Sequence, residues 1–175
     1  GLTSSIPKKP FSYSIAIVDK IDSLVGFFLI NEKPTSSKDP FALRRAAIGL
    51  LRIIIENKLS LKLRDLISYA IRLYQEQGVK IINEKTEQDV LEFIKERMRN
   101  VLKLKNIKND IIEASVSSHA GDNFLALYAK TLLMNKYKNK GIGLNAINSY
   151  KRASNILDKA GKRITGRPDA VLFRK

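Results

Sequence analysis

Apolar residues recur at spacings of three and four along nearly all of this chain, and no run alternates convincingly at period two. That spacing lines one side of a helix and does not line one side of a strand, so it predicts an all-α fold. Phe11, Ile15, Val18, Ile21, Val25 and Phe28 mark one face of a first helix of about five turns. The stretch "PTSSKDP" ends that pattern. Asp39 followed by Pro40 reads as an N-cap with proline at the first helical position, and the second helix runs to about Asn57. A third helix starts after Ser60 and stops at Gly78, a C-cap. Thr86 with Asp89 opens a fourth in the manner of a capping box, and it continues to Leu104. Further helices are expected at about Asp110 to Ser117, Asp122 to Lys138 and Leu144 to Lys159. The last stretch, "GKRITGRPDAVLFRK", mixes glycine, proline and charge and is expected to be irregular.

A chain of 175 residues can form one ordinary domain or two small helical units. The polar connector that ends in "NEK" places a boundary there, giving one bundle over 1–82 and a second over 83–175. The absence of cysteine removes disulfides, thiolate zinc sites and cysteine nucleophiles together, and fits a reducing cytoplasm. His119 is the single histidine, so a site needing two imidazoles cannot be built from this chain. No apolar run reaches the roughly 18 to 20 residues that a membrane-spanning helix needs, so no membrane partner is expected. The chain starts at Gly1 without a basic-then-apolar leader and reads as a piece of a longer polypeptide.

Charge gives the first functional indication. The net charge of +15 and the pI near 10 favour a polyanionic partner. Eleven basic and two acidic residues fall in 136–175, so that end carries +9 and the first 135 residues carry +6. Phosphate contacts supply most nucleic-acid affinity, which makes Lys136, Lys138, Lys140, Lys151 and Arg152 candidate RNA contacts. Tyr137 and Tyr150 could stack on bases, and Asn155 could read a base edge. Arg97 and Arg99 form a second basic group. On their helix, however, acids come early and bases late, which complements the helix dipole and needs no RNA.

Asp22 falls on the apolar face assigned to the first helix, with Asp19 on its border. A carboxylate there is costly unless paired. On the second helix Arg44 projects at the edge of the apolar face, while Arg45 points about 100° away, in line with Gly49, Arg52 and Glu56. The predicted structural ion pair therefore joins Asp22 to Arg44 across a helical hairpin, with Arg45 and Arg52 facing outward. The alternative is that both adjacent arginines snorkel to water. Two aspartates three residues apart could also ligate a metal, but with so few other acids and no nearby histidine, no metal site is expected. His119, in "SSHAGD", reads as a surface or capping residue, and Gly141 and Gly143 as a helix connection.

Beyond periodicity, the motifs "VDKIDSLVGFF", "PTSSKDPFALRRAAIGLLRIIIE", "DVLEFIKERMRNVL" and "YKRASNIL" stand in the order found in the beta subunit of bacterial heterotetrameric glycyl-tRNA synthetase, a family this chain resembles. The resemblance spans about Ile17 to Leu157. It implies a subunit that holds glycine-specific tRNA while a separate alpha subunit makes glycyl adenylate from ATP, with magnesium, and charges the tRNA. No catalytic residue and no cofactor would belong to this chain. Its first part resembles the end of an HD-type helical domain, in which Asp19 matches the position of the final metal-binding aspartate. The histidines of that motif are not in this chain, so no hydrolase activity carries over. The part from about Thr86 resembles the helical anticodon-binding domain of arginyl-tRNA synthetase, which continues past "NIL" in the family. Against this stand two other classes: half of an HD-type phosphohydrolase, and a generic basic helical module binding RNA or an acidic protein. The lone histidine opposes the first, and the quoted motifs outweigh the second.

Overall fold

A computed structural model describes residues 6–35, 37–119 and 121–138, and the regular structure among them is entirely helical. The order is α1 Pro10–Leu29, α2 Leu43–Glu56, α3 Leu63–Glu76, α4 Thr86–Lys103, α5 Asn109–Ser117 and α6 Phe124–Tyr137. The all-α class is thereby established. The helix expected over 144–159 and the irregular end lie outside the described residues. By its internal contacts the chain divides into two compact units, Gly1–Asn135 and Lys136–Lys175.

Helices α1 and α2 pair as an antiparallel hairpin. At one end the Asn57 side-chain amide donates to the Pro7 carbonyl over 3.1 Å. At the other the Phe27 and Phe41 rings stack with centroids 3.9 Å apart. Helix α3 packs on α1, and α4 packs against α1, α2 and α3 together. Leu24, Leu29, Leu50, Leu51, Ile54, Ile67, Ile94 and Met98 are the fully buried centre of this bundle. Burial of each such side chain stabilises the fold by roughly 1.5 to 3 kcal/mol.

The buried side of α1 differs from the expected one. Ile17, Ile21, Leu24, Val25, Phe28 and Leu29 point inward, whereas Phe11, Ile15 and Val18 are exposed at 78%, 55% and 65%. The first half of α1 is apolar nearly all round, so spacing alone admitted two faces. Residues Ile21, Val25 and Phe28 belong to both.

The start of α2 is also displaced from the expected cap. Asp39 to Ala42 form a turn, closed by the Ala42 N–H on the Asp39 carbonyl at 3.2 Å, and Ala42 takes a left-handed conformation with φ 56°. The Asp39 carboxylate still caps the helix from a distance, accepting the N–H groups of Leu43 at 2.8 Å and Arg44 at 3.1 Å. Those are two of the donors that every helix start leaves without an internal partner.

The connector before α4 is pinned to the end of α1. The N–H groups of Ile82 and Asn83 both donate to the Leu29 carbonyl at 3.0 Å. The Asn83 side chain donates to the Phe28 carbonyl at 3.3 Å and to the Asp89 carboxylate at 2.9 Å. Thr86 is buried and donates its hydroxyl to the Asn83 carbonyl at 2.6 Å, so it does not form the expected capping box. Asp89 instead meets Lys33 at 2.6 Å. That hydrogen bond is the main reason its carboxyl lies below the usual carboxylate range. The boundary expected after residue 82 thus falls within one packed unit.

Helix α5 packs on α4, and α6 meets α5 through the Ser115 hydroxyl at 3.1 Å from the Met134 sulfur. The turn between α5 and α6 caps α3, because the Asp122 carboxylate accepts the Arg64 N–H at 2.8 Å. Asn123 adds a side-chain bond to the Ser60 hydroxyl at 2.8 Å.

Candidate nucleic-acid interface

The expected C-terminal contact set begins at the end of α6. Lys136 is exposed, with its ammonium 5.7 Å from the centroid of the Tyr137 ring. Lys138 follows in a turn. Lys140, Tyr150, Lys151, Arg152 and Asn155 lie outside the described residues.

Arg97 and Arg99 project from α4 into protein partners. The Arg97 guanidinium sits 4.9 Å from the centroid of Phe93, one helical turn earlier, with its Nε buried. Phe93 in turn tilts against Phe28 of α1, with centroids 5.3 Å apart. Arg97 therefore covers the α1–α4 contact. Arg99 donates from Nε to the Glu113 carboxylate at 3.1 Å and 3.2 Å, and from its terminal nitrogen to Glu96 at 2.8 Å. Two carboxylates from α4 and α5 neutralise it where an RNA phosphate would have to compete. Both arginines serve the packing of α4, and the helix has the expected polarity, with Glu87 and Asp89 in its first turn and Lys103 in its last.

Asp22 and Arg44 are directed to different partners. The Arg44 guanidinium donates to the Thr35 carbonyl. Asp22 is exposed and sits beside Tyr74, whose hydroxyl lies 3.4 Å from the Asp22 carbonyl. Burial, with the hydrogen-bonding Asp22 carboxylate adding to it, pushes the Tyr74 hydroxyl up to about 12. Among the described residues the two charges form no ion pair with each other, which corrects the expectation. The physical reason is the choice of face on α1: Asp22 lies on the side with Phe11, Ile15 and Val18, reaches water and needs no cation. Arg45 faces outward as expected, and Arg52 lies 3.9 Å from Glu56.

Asp19 is exposed, 3.7 Å from Lys20. Among the described residues no group of three or more potential ligands could hold a metal ion. His119 is half-buried in the α5–α6 turn, with Nε2 buried and unpartnered among the described residues. Burial, and then the nearby Lys130 and Lys95, hold its pKa down, while Asp122 opposes them. Lys130 donates to the Ser118 hydroxyl at 2.6 Å, and burial lowers its own pKa.

One basic feature extends beyond those candidates. The thirteen residues 97–109 contain Arg97, Arg99, Lys103, Lys105 and Lys108 and no acid. Counting acids along with bases would have found it. The structure separates the five: the two arginines are held as described above, while the three lysines are exposed at the α4–α5 turn.

Comparison with known proteins brings these observations together. A family model described as the glycyl-tRNA synthetase beta subunit matches residues 1–117. The glycine–tRNA ligase beta subunit of Rickettsia canadensis is 39% identical over 173 residues, which is 99% of this chain and 24% of that protein. The Ruegeria subunit is 32% identical over 163 residues, 93% of this chain and 22% of its own length. The Dinoroseobacter shibae subunit is 35% identical over 184 residues, 91% and 26% respectively. The chain spans about a quarter of the length of these relatives.

Proposed function

The chain belongs to the glycyl-tRNA synthetase beta subunit family, and from that premise we propose that it is a tRNA-binding, non-catalytic part of such a subunit. In this reading it supports ATP-dependent attachment of glycine to its tRNA by a complex with the alpha subunit, in the cytoplasm. ATP and magnesium act elsewhere in that complex. The observation that supports a role in holding tRNA is the +9 charge of residues 136–175. An excess of that size lowers the free energy of a bound polyanion, because each neutralised phosphate releases condensed counterions. Lys136, Lys138, Lys140, Lys151 and Arg152 supply phosphate contacts. Tyr150 and Asn155 supply base stacking and edge recognition. In this reading α4, α5 and α6 are the start of an anticodon-binding helical part.

The test compares glycine-specific tRNA with another tRNA at several salt concentrations. Preferential binding of the glycine-specific tRNA supports the reading, and equal affinity for both reduces it to nonspecific electrostatics. Neutralising Lys151 and Arg152 weakens binding and flattens the salt dependence by up to about two phosphate equivalents. An unchanged slope would remove both residues from the interface.

A further inference from the structure

The α4–α5 turn presents cations without the carboxylates that engage cations elsewhere on this unit. Arg64 is bound to Glu87, Lys33 to Asp89, and Arg99 to Glu96 and Glu113. Lys103, Lys105 and Lys108 are exposed, and none of them forms an ion pair among the described residues. Between the first and the last of these lysines no acidic residue occurs.

The turn is held in one shape. Leu104, Lys105 and Asn106 donate backbone N–H groups to the carbonyls of Asn100, Leu102 and Lys103 at 3.2, 3.0 and 3.0 Å. Asn106 takes the left-handed conformation, φ 56°, which asparagine tolerates better than most residues. Ile107 is 5% exposed and anchors the turn in the core. The Lys108 carbonyl accepts from Ile111 and Ile112, both at 3.1 Å, which starts α5. Binding therefore has little backbone to order, and the cost lies in the lysine side chains.

Leu104 is 78% exposed at the tip, between two lysines. An apolar side chain there has no packing role within the described unit, and it can lie against the face of a nucleobase or ribose. The amide of Asn106 adds a donor and an acceptor beside it.

We propose that the α4–α5 turn is an RNA contact in its own right, in which Lys103, Lys105 and Lys108 engage phosphodiester oxygens and Leu104 supports an unstacked base. This rests on the tRNA-binding reading above and assigns it a site separate in sequence from residues 136–175. Protein interfaces are depleted in lysine relative to the rest of the surface, whereas phosphate recognition uses it freely. The composition of the turn thus favours RNA over an acidic protein.

The experiment uses the full-length subunit and measures its affinity for glycine-specific tRNA across a range of salt concentrations. Changing Lys103, Lys105 and Lys108 to Ala together should reduce the slope of log affinity against log salt by about two, and weaken binding at moderate salt about tenfold or more. Changing the same three to Arg should retain the slope. Leu104→Ala should weaken binding severalfold and leave the slope as it was. A triple Ala variant with the affinity and slope of the parent would overturn the proposal, as would loss of the slope in the charge-preserving Arg variant. So would loss of association with a protein partner while tRNA binding is intact. If the parent protein binds no tRNA at all, the functional reading fails and this proposal fails with it.

Discussion

The hydroxyl oxygen of Tyr74 lies 2.6 Å from the position a Cβ on Gly26 would occupy, and its ring carbon Cζ lies 3.1 Å away. Gly26 sits within α1, where alanine would ordinarily be favoured by about 1 kcal/mol. Here the ring of α3 occupies the space that the missing side chain leaves. Gly26→Ala should therefore lower stability by about 1 to 3 kcal/mol, the usual range for overpacking, with the propensity gain offsetting part of it. Combining it with Tyr74→Phe removes the closest atom and should recover most of the loss. Thermal unfolding of the two single variants and the double variant measures the coupling. Additive effects would mean that the two residues do not compete for this space.

Asn83 ties the end of α1 to the start of α4 through the Phe28 carbonyl and the Asp89 carboxylate. Its side-chain oxygen also accepts the Lys85 N–H at 3.1 Å. Asn83→Ala removes these three hydrogen bonds, while the Phe28 carbonyl still accepts the Asn31 N–H at 3.1 Å, and should cost about 1 to 3 kcal/mol. Lys33→Ala, which removes an ion pair with Asp89 that is about one third exposed, should cost under about 1 kcal/mol. Denaturant unfolding of residues 1–135 is expected to show one transition in both variants. Two transitions, one belonging to α1–α3 and the other to α4–α6, would contradict the shared core.

Most of the helices were legible because their spacing and their breakers agree. The start of α2 was not, since it depends on Asp39 reaching two N–H groups across a turn whose last residue is left-handed, a geometry that no residue pair announces. The face of α1 was ambiguous for a different reason: a helix that is apolar on several sides is oriented by its neighbours. That ambiguity carried into the site. Placing Asp22 on the inner face implied a need for Arg44, and the outer face removes that need. The connector before α4 looked like a boundary because it is polar, but its polar groups are bonded to the end of α1. Arg97 and Arg99 were open to two readings in the sequence because a helix wheel cannot show Phe93 beneath one guanidinium or Glu113 on another helix.

Arg99 should accordingly be dispensable for RNA. Arg99→Gln removes two ion pairs that are partly open to solvent, with side-chain exposures of 21% for the arginine against 56% for Glu96 and 52% for Glu113. The expected loss of stability is about 0.5 to 1 kcal/mol. Affinity of the full-length subunit for tRNA, and the slope of its salt dependence, should match the parent. A flatter slope would show that the guanidinium leaves its carboxylates for a phosphate when RNA binds.

His119 predicts a pH dependence that can be read from one residue, because it is the single histidine in the chain. Burial is the first cause holding its pKa below 6.5, followed by Lys130 and Lys95, with Asp122 acting in the opposite direction. The folded state thus favours the neutral ring more than the unfolded state does. Its contribution is fully present above the unfolded pKa of about 6.5 and is lost as pH falls from there through the lower folded value. The imidazole resonance should titrate with a midpoint below 6.5. The difference in unfolding stability between the parent and His119→Gln should shift against the parent between about pH 7 and pH 5, a comparison that cancels the carboxylates titrating lower. A midpoint at or above 6.5 would mean that the ring is solvated, and that the α5–α6 turn is more open than its contacts to Ser60 and Arg64 imply.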